Sequence, residues 1–146
     1  IYHGTDPSDV IQSYMTKGRI LDVSLGNAPK AAQHYVRSLQ IDPNQPVALL
    51  RLAELALRRE DWYEAGGYAQ RGLQLVSDPG PLRADLLLSW AIAKMGTGDN
   101  AGAEAAVVDA RACHPALKET LGETPLDNLE VLRAGIRERV VDGVRC

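Results

Sequence analysis

Three runs of sequence decide the fold: AAQHYVRSLQIDP at 31–43, AGGYAQRGLQLVSDP at 65–79 and AEAAVVDARACHP at 103–115. Each run begins with alanine and places small and apolar residues at steps of three and four, which is the period of a helix. The first two runs begin 34 residues apart and the last two 38, and the surplus fits in the Pro/Gly-rich stretch at 79–82. Three runs at this spacing predict a repeated array of helix pairs.

The composition favours one helical domain without nucleic-acid binding. A chain of 146 residues is about the size of a single domain. The apolar fraction is 45% with no phenylalanine, so the core must consist mainly of leucine, valine, isoleucine and alanine, which suits closely packed helices. The net charge of −3 offers no basic surface for phosphates. We therefore expect no nucleic-acid partner.

The termini and cysteines leave the cellular compartment open. No apolar run is long enough to span a bilayer, and no secretory signal pattern is present. Because the chain begins at Ile1 rather than methionine, we expect a segment upstream; a soluble protein of the cytoplasm or periplasm fits equally well. Cys113 and Cys146 form neither a metal-type cluster nor a disulfide framework.

The middle unit shows the helical pattern most plainly. A first helix from Pro46 places one apolar stripe along its length, at Leu49, Leu52, Ala53 and Ala56. Asp61 is a candidate N-cap for a second helix. The stripe of that helix is Ala65, Tyr68, Ala69, Gly72 and Leu73. The sequence SDPGP at 77–81 ends the helix, since prolines cannot continue it.

The third unit repeats this scheme and the first is less regular. The third has two apolar stripes separated by Gly-Thr-Gly-Asp at 96–99. In the first, Tyr14, Gly18 and Leu21 form the best stripe of the leading helix only if the turn near 26–27 holds one extra residue. Cys113 takes the place of Ile41 and Leu75, which predicts a buried apolar position.

The repeated positions resemble those of the tetratricopeptide repeat (TPR) family. The family's two small sites on the second helix correspond to Ala31, Ala65 and Ala103, and to Ser38, Gly72 and Ala110. Its bulky-then-small pair on the first helix corresponds to Leu52-Ala53 and Trp90-Ala91, and its terminal proline to Pro43 and Pro115. The middle unit departs by having Ser77 at the proline position, and Ala69 and Val107 replace the larger ring that Tyr35 retains.

The resemblance covers about residues 11 to 117 and implies an all-α protein, an α-solenoid of about three helical hairpins. The repeats would span about 11–45, 46–79 and 84–117 of a single domain at 1–146. After Pro115 the repeat signature ends, and Leu129, Leu132, Ile136 and Val140 form a stripe. We predict a terminal capping helix at about 124–141, since an array exposes an apolar face at its end.

Catalytic, metal and cofactor motifs are missing from the sequence. There is no GxGxxG, phosphate loop, HExxH or GxSxG pattern, and His3, His34 and His114 lack ligand spacing. We therefore expect a protein that is not an enzyme, with no catalytic or metal-ligating residues and no cofactor.

The resemblance implies a partner-binding groove lined by the first helices. The residues that carry over are Leu50, Arg51, Glu54, Leu57 and Arg58 in the middle unit, and Asp85, Leu88, Ser89, Ile92 and Met95 in the third. The shifted register of the first unit would add Gln12, Met15, Thr16, Arg19 and Asp22. Two alternatives stay open: Leu50 and Leu57 pack against the neighbouring hairpin, or the groove is filled by the chain's own terminus or another copy.

These expectations predict a non-catalytic scaffold that binds a protein or peptide segment in a concave, partly apolar groove. Arg51 and Arg58 would set the orientation of the segment by pairing with its carboxylate or carbonyl groups. One alternative is the recognition module of a larger enzyme. Another is an assembly factor of a bacterial envelope, for secretion or pili, since the alanine, arginine and glycine content is compatible with a bacterial source. Self-association is a further expectation.

Overall fold

A computed structural model describes residues 6–113, and this part of the chain is helical throughout apart from short connections. The helices are α1 (Pro7–Arg19), α2 (Ala28–Ile41), α3 (Pro46–Arg58), α4 (Trp62–Leu75), α5 (Pro81–Gly96) and α6 (Asn100–Cys113). A π-helical turn, Ile20–Ser24, follows α1 directly. Because residues 6–113 contain no strand, the predicted all-α class is confirmed.

The second helix of every pair begins in the same way. The side chains of Asn27, Asp61 and Asp99 each stand immediately before a helix of 14 residues. Each accepts a hydrogen bond from the amide three residues later, at 3.2, 3.3 and 2.9 Å. Such a cap stabilises a helix by about 1 kcal/mol. These local contacts fix where α2, α4 and α6 start.

Proline fixes where the first helices begin. Pro7, Pro46 and Pro81 are the first residues of α1, α3 and α5, a position at which the missing N–H costs no hydrogen bond. Pro81 was expected to belong to the break between units, and it opens α5 three residues before the predicted start of the third repeat at 84. The first helix likewise begins at Pro7, ahead of the predicted start at 11.

Neighbouring helices pack in pairs, α1 with α2, α3 with α4 and α5 with α6, and successive pairs touch through α2 with α3 and α4 with α5. The fourth residue of each second helix, Ala31, Ala65 or Ala103, is fully buried, at 0% exposure. The second small sites, Ser38, Gly72 and Ala110, are also buried. All six of the small-residue positions are therefore buried in the structure.

Two apolar clusters form the core. One joins α2 and α3 around Tyr35, Leu49 and Leu52, with residues of α1 at its edge. The other joins α3, α4, α5 and α6 around Leu57, Leu88 and many alanines. Gly72 permits α4 and α5 to approach closely, since a Cβ there would stand 2.6 Å from a methyl carbon of Leu86.

The extra residue of the first unit lies in the π-helical turn, so its predicted place near 26–27 was wrong. The amide of Leu25 donates to the carbonyl of Ile20 at 3.1 Å, a bond that spans five residues instead of four. A π-helical turn takes up one additional residue inside a helix without ending it. Gly18 is consequently buried and Leu21 packs against the core, as the predicted stripe requires.

Several predictions lie outside the described residues. These are the capping helix at about 124–141, the end of the third repeat at 114–117, and the surroundings of His3, His114 and Cys146. Within residues 6–113, no helix has the length and apolar character needed to cross a membrane.

Candidate functional site

The residues predicted to line a groove on the first helices are mostly buried. Those exposed by 5% or less are Leu50, Glu54, Leu57, Asp85, Leu88, Ser89 and Ile92. Arg51, Arg58 and Met95 are partly exposed. Leu57, Leu88 and Ile92 belong to the same apolar cluster, and Met95 packs against it. Leu57 therefore packs against the neighbouring helix pair, which is one of the two alternatives to an open groove. Contact between the ten predicted residues and a partner stays a prediction.

Arg58, which is predicted to orient a partner, also has a partner within the chain. Its Nη2 donates to Oδ1 of Asp22 at 2.5 Å. The Asp22 side chain is 4% exposed because the π-helical turn directs it inward, whereas that of Arg58 is 26% exposed. This ion pair joins the end of the first leading helix to the end of α3.

Arg58 and Asp22 belong to a larger inner polar cluster with Tyr35, Arg51 and Glu54. Arg51 and Glu54, one helical turn apart on α3, lie 4.0 Å from each other. Tyr35 is 1% exposed, and its hydroxyl has no hydrogen-bond partner within residues 6–113. Burial raises the pKa of Tyr35 to about 12, partly opposed by the charge of Arg51. This raised pKa keeps Tyr35 a neutral phenol well into the alkaline range.

A second site, which the sequence analysis did not predict, lies between α4 and α5. It is a pocket of about 250 Å³ that we call the α4–α5 pocket. Its lining residues are Trp62, Tyr63, Gly66, Gly67, Gln70, Trp90, Ala93, Lys94 and Thr97. Both tryptophans of the chain are among them. The ring of Tyr63 is 84% exposed, the highest value among the large apolar side chains that the structure leaves in solvent.

Glycines give the pocket its space. Trp62 and Tyr63 each precede a glycine by four residues, so Gly66 and Gly67 lie one turn further along α4, on the same faces as the rings. A Cβ at Gly67 would meet no atom within 4 Å, and one at Gly66 would reach only ordinary contact with Ala93 and Trp90. The pocket is therefore open where two ordinary side chains would otherwise stand.

The position of Trp62 depends on another glycine, at the end of α5. A Cβ added at Gly96 would lie 2.2 Å from the indole ring of Trp62, far inside van der Waals contact. The ring thus rests directly on the backbone of Gly96. This contact sets one wall of the α4–α5 pocket.

Lys94 is the one charged residue among those that line the pocket. Its ammonium nitrogen lies 4.5 Å from the centre of the Trp90 ring, a cation–π contact. The same nitrogen is 3.8 Å from a carboxylate oxygen of Asp99, whose other oxygen caps α6. The pocket therefore combines aromatic walls with a single positive charge at its edge.

A local signal for the pocket was present in the sequence. The motif WYEAGG at 62–67 places two aromatic residues one turn before two glycines. Trp90 was interpreted only as the bulky member of a helix-contact pair. Its approach to α4 depends on tertiary packing.

The remaining candidates for reactive chemistry, His34 and Cys113, contact other parts of the fold. Nδ1 of His34 lies 3.0 Å from the carbonyl oxygen of Lys30, and the ring meets Tyr14 edge-on at 5.9 Å. Cys113 is half-buried against the core, but Ile41 and Leu75 are each 40% exposed. The prediction that this repeated position is buried was therefore wrong, because α2 and α4 end there. Within residues 6–113, no three His, Cys, Asp or Glu residues lie together as a metal site requires.

Comparison of the sequence with models of known protein families finds no match, and comparison with curated proteins finds no relative.

Proposed function

We propose that the chain is a non-catalytic protein-interaction scaffold whose helix pairs stack as TPR-like hairpins in an α-solenoid. The support is the threefold recurrence of one local arrangement: a side-chain cap, a helix of 14 residues, and a fully buried alanine at its fourth position. Small residues at a crossing let paired helices approach to about 8–10 Å. Contacts mainly between neighbours are typical of repeat proteins.

The observation that carries the binding role is the α4–α5 pocket. Exposing the ring of Tyr63 beside Trp62 and Trp90 leaves aromatic surface in water, which is unfavourable for the isolated chain. Tyrosine and tryptophan are also the residues that most often dominate binding energy in protein interfaces. A partner segment that covers this surface would recover that energy.

The groove predicted on the first helices is a second surface of the same scaffold. Arg51, Arg58 and Met95 are its partly exposed members, and Arg58 is also paired with Asp22. The other seven members are buried. Replacement of Met95 by Asp tests this surface without burying a new charge as deeply as Leu88→Asp would, since Leu88 is 1% exposed. Loss of partner binding in Met95→Asp, with unchanged helicity, supports use of this groove.

Site-specific photocross-linking tests the proposed function. A photoreactive phenylalanine analogue is placed at position 63 and, as a matched control, at position 108, where Val108 is 62% exposed on α6 and outside the pocket. In the native host, we expect a discrete protein adduct from position 63 that is absent from position 108. A position-63 variant that folds but yields no specific adduct would contradict binding at the pocket.

A further inference from the structure

We infer that the α4–α5 pocket binds an extended, proline-containing segment of another protein, with an acidic side chain of that segment placed against Lys94. This inference rests on the proposed scaffold function. It adds the chemistry of the partner.

The size of the pocket selects an extended segment. Its volume of about 250 Å³ lies below the range of roughly 300–1,000 Å³ that is usual for small-molecule and cofactor sites. Along α4 the lining runs from Trp62 to Gln70, which corresponds to about 12 Å at the rise of an α-helix. A helix of about 10–12 Å diameter is too wide to lie inside such a space and could insert only single side chains. A polyproline II strand of about four residues has the required length.

The surfaces of the pocket suit proline. Pyrrolidine rings pack against flat aromatic side chains, and the polyproline II conformation is already extended before binding, so little entropy is lost. Such a strand exposes its carbonyl oxygens, because it has no internal hydrogen bonds. The Gln70 amide and the Lys94 ammonium lie in the lining as donors for these oxygens. Gly66 and Gly67 allow the strand to approach the helix backbone.

The charge of the pocket selects an acidic neighbour. Lys94 already lies over the face of Trp90, so a ligand cation seeking an aromatic cage would meet a like charge there. The lining residues contain no carboxylate. Asp99, outside the lining, is 3.8 Å from the Lys94 ammonium, so it offsets part of the charge but is too far away for a hydrogen bond. A carboxylate of the partner would therefore gain a charge-assisted hydrogen bond with Lys94.

A peptide array on the full 146-residue chain tests the inference. The octapeptides carry a Pro-Pro or Pro-x-x-Pro core, flanked by Asp, Ala or Lys, with cores in which alanine replaces proline as matched controls. Soluble peptides are then titrated and followed by tryptophan emission, which reports on this pocket because both tryptophans line it. We expect alanine-for-proline and lysine-for-aspartate exchanges each to weaken binding at least tenfold.

Variants of the chain locate the binding. Gly67→Leu fills the pocket from an exposed helical position and should weaken peptide binding at least tenfold, whereas Gly67→Ala should retain it. Lys94→Gln should remove the preference for aspartate over lysine while leaving the preference for proline. Thermal melting of each variant verifies that it is folded.

Four outcomes would overturn the inference: equal binding by Gly67→Leu, equal binding of peptides without proline, absence of any array binder, or a dimer that Gly67→Leu dissociates. The last outcome, measured by sedimentation, would make a second copy the occupant, for example through its exposed Asp78-Pro79 loop. If position 63 cross-links a partner while the array yields no proline-dependent binder, the scaffold function stands and this inference fails. Failure of both experiments would refute both.

Discussion

Nη2 of Arg58 donates a hydrogen bond to Oδ1 of Asp22 at 2.5 Å across 36 positions of the sequence. Asp22 lies in the π-helical turn that follows α1. The one additional residue in this turn changes the direction of the side chains after α1, so that Asp22 faces Arg58. The bond therefore fixes the first helix pair against the second. It also engages Nη2 of Arg58, whereas the Arg58 side chain stays 26% exposed.

Replacement of Asp22 by alanine should lower the free energy of unfolding by about 3 kcal/mol. Removal of one member of a buried ion pair leaves the other charge uncompensated, typically at a cost of about 3–5 kcal/mol, and the partial exposure of Arg58 favours the lower end. Urea denaturation followed by circular dichroism measures the change. The control is Arg59→Gln, which breaks the exposed Arg59–Glu64 pair and should cost less than about 1 kcal/mol. Equal losses in the two variants would contradict the role assigned to Asp22.

Tyr35→Phe should remove a pH dependence of stability between about pH 10 and 12. Tyr35 has a pKa near 12 in the folded chain against 10.0 as its ordinary value, so its contribution is complete below pH 10 and is lost as the pH rises through 12. A two-unit difference corresponds to roughly 2–3 kcal/mol. The difference in unfolding free energy between the two proteins, measured at pH 9 and pH 12, isolates this residue from other groups that titrate.

At neutral pH the same Tyr35→Phe variant should be at least as stable as the original chain, because it deletes a buried hydroxyl without a partner in residues 6–113. Tyr63→Phe is the matched control: because its ring is 84% exposed, this substitution should leave the free energy of unfolding nearly unchanged. A parallel alkaline decline in Tyr35→Phe and the original chain would show that Tyr35 does not carry the effect.

Ala65→Phe should destabilise the fold by overpacking, by about 1–3 kcal/mol or more. Ala65 is fully buried where α4 meets its partner helix, so a ring at this position must force the helices apart. Ala105→Phe provides the comparison, because Ala105 is an exposed position of α6. An unchanged melting temperature in Ala65→Phe would remove the assignment of this alanine to the helix contact.

Gly96→Ala should displace the Trp62 indole and alter the α4–α5 pocket. The added methyl carbon would stand 2.2 Å from the ring, so the indole or the end of α5 must move. We expect a shift of tryptophan emission and a lower melting temperature, although alanine is the better helix former by about 1 kcal/mol. Gly67→Ala makes the same exchange in open space and should raise stability. If the two variants behave alike, Trp62 does not rest on Gly96 in solution.

Local patterns predicted the helices well. The cap residue Asp61, the periodic stripe that contains Ala65 and the helix-ending prolines all act over a few residues, so their effects can be read along the chain. For the π-helical turn, the sequence pattern predicts only that the first unit holds one extra residue. The contact of this turn with the rest of the fold, from Asp22 to Arg58, spans 36 positions and cannot be read from the local pattern.

The burial of the predicted groove residues could not be read from the sequence, for a physical reason. Leu50 and Leu88 were placed on a helix face that a single hairpin would leave open, but each is almost completely buried in the folded chain. The α4–α5 pocket requires Trp62 to rest on Gly96, from a different helix. Contacts between elements are not contained in the periodicity of either element alone.

The resting of Trp62 on Gly96 means that the helix pairs are not interchangeable building blocks. The second pair supplies the ring and the third supplies the bare backbone beneath it, and Gly72 with Leu86 makes another fitted contact across the same boundary. A duplicate of the second pair inserted after it would place a side chain, Arg58, where its ring needs the glycine that closes α5. The order of the helix pairs is thus fixed by the side chains that each pair packs against the next.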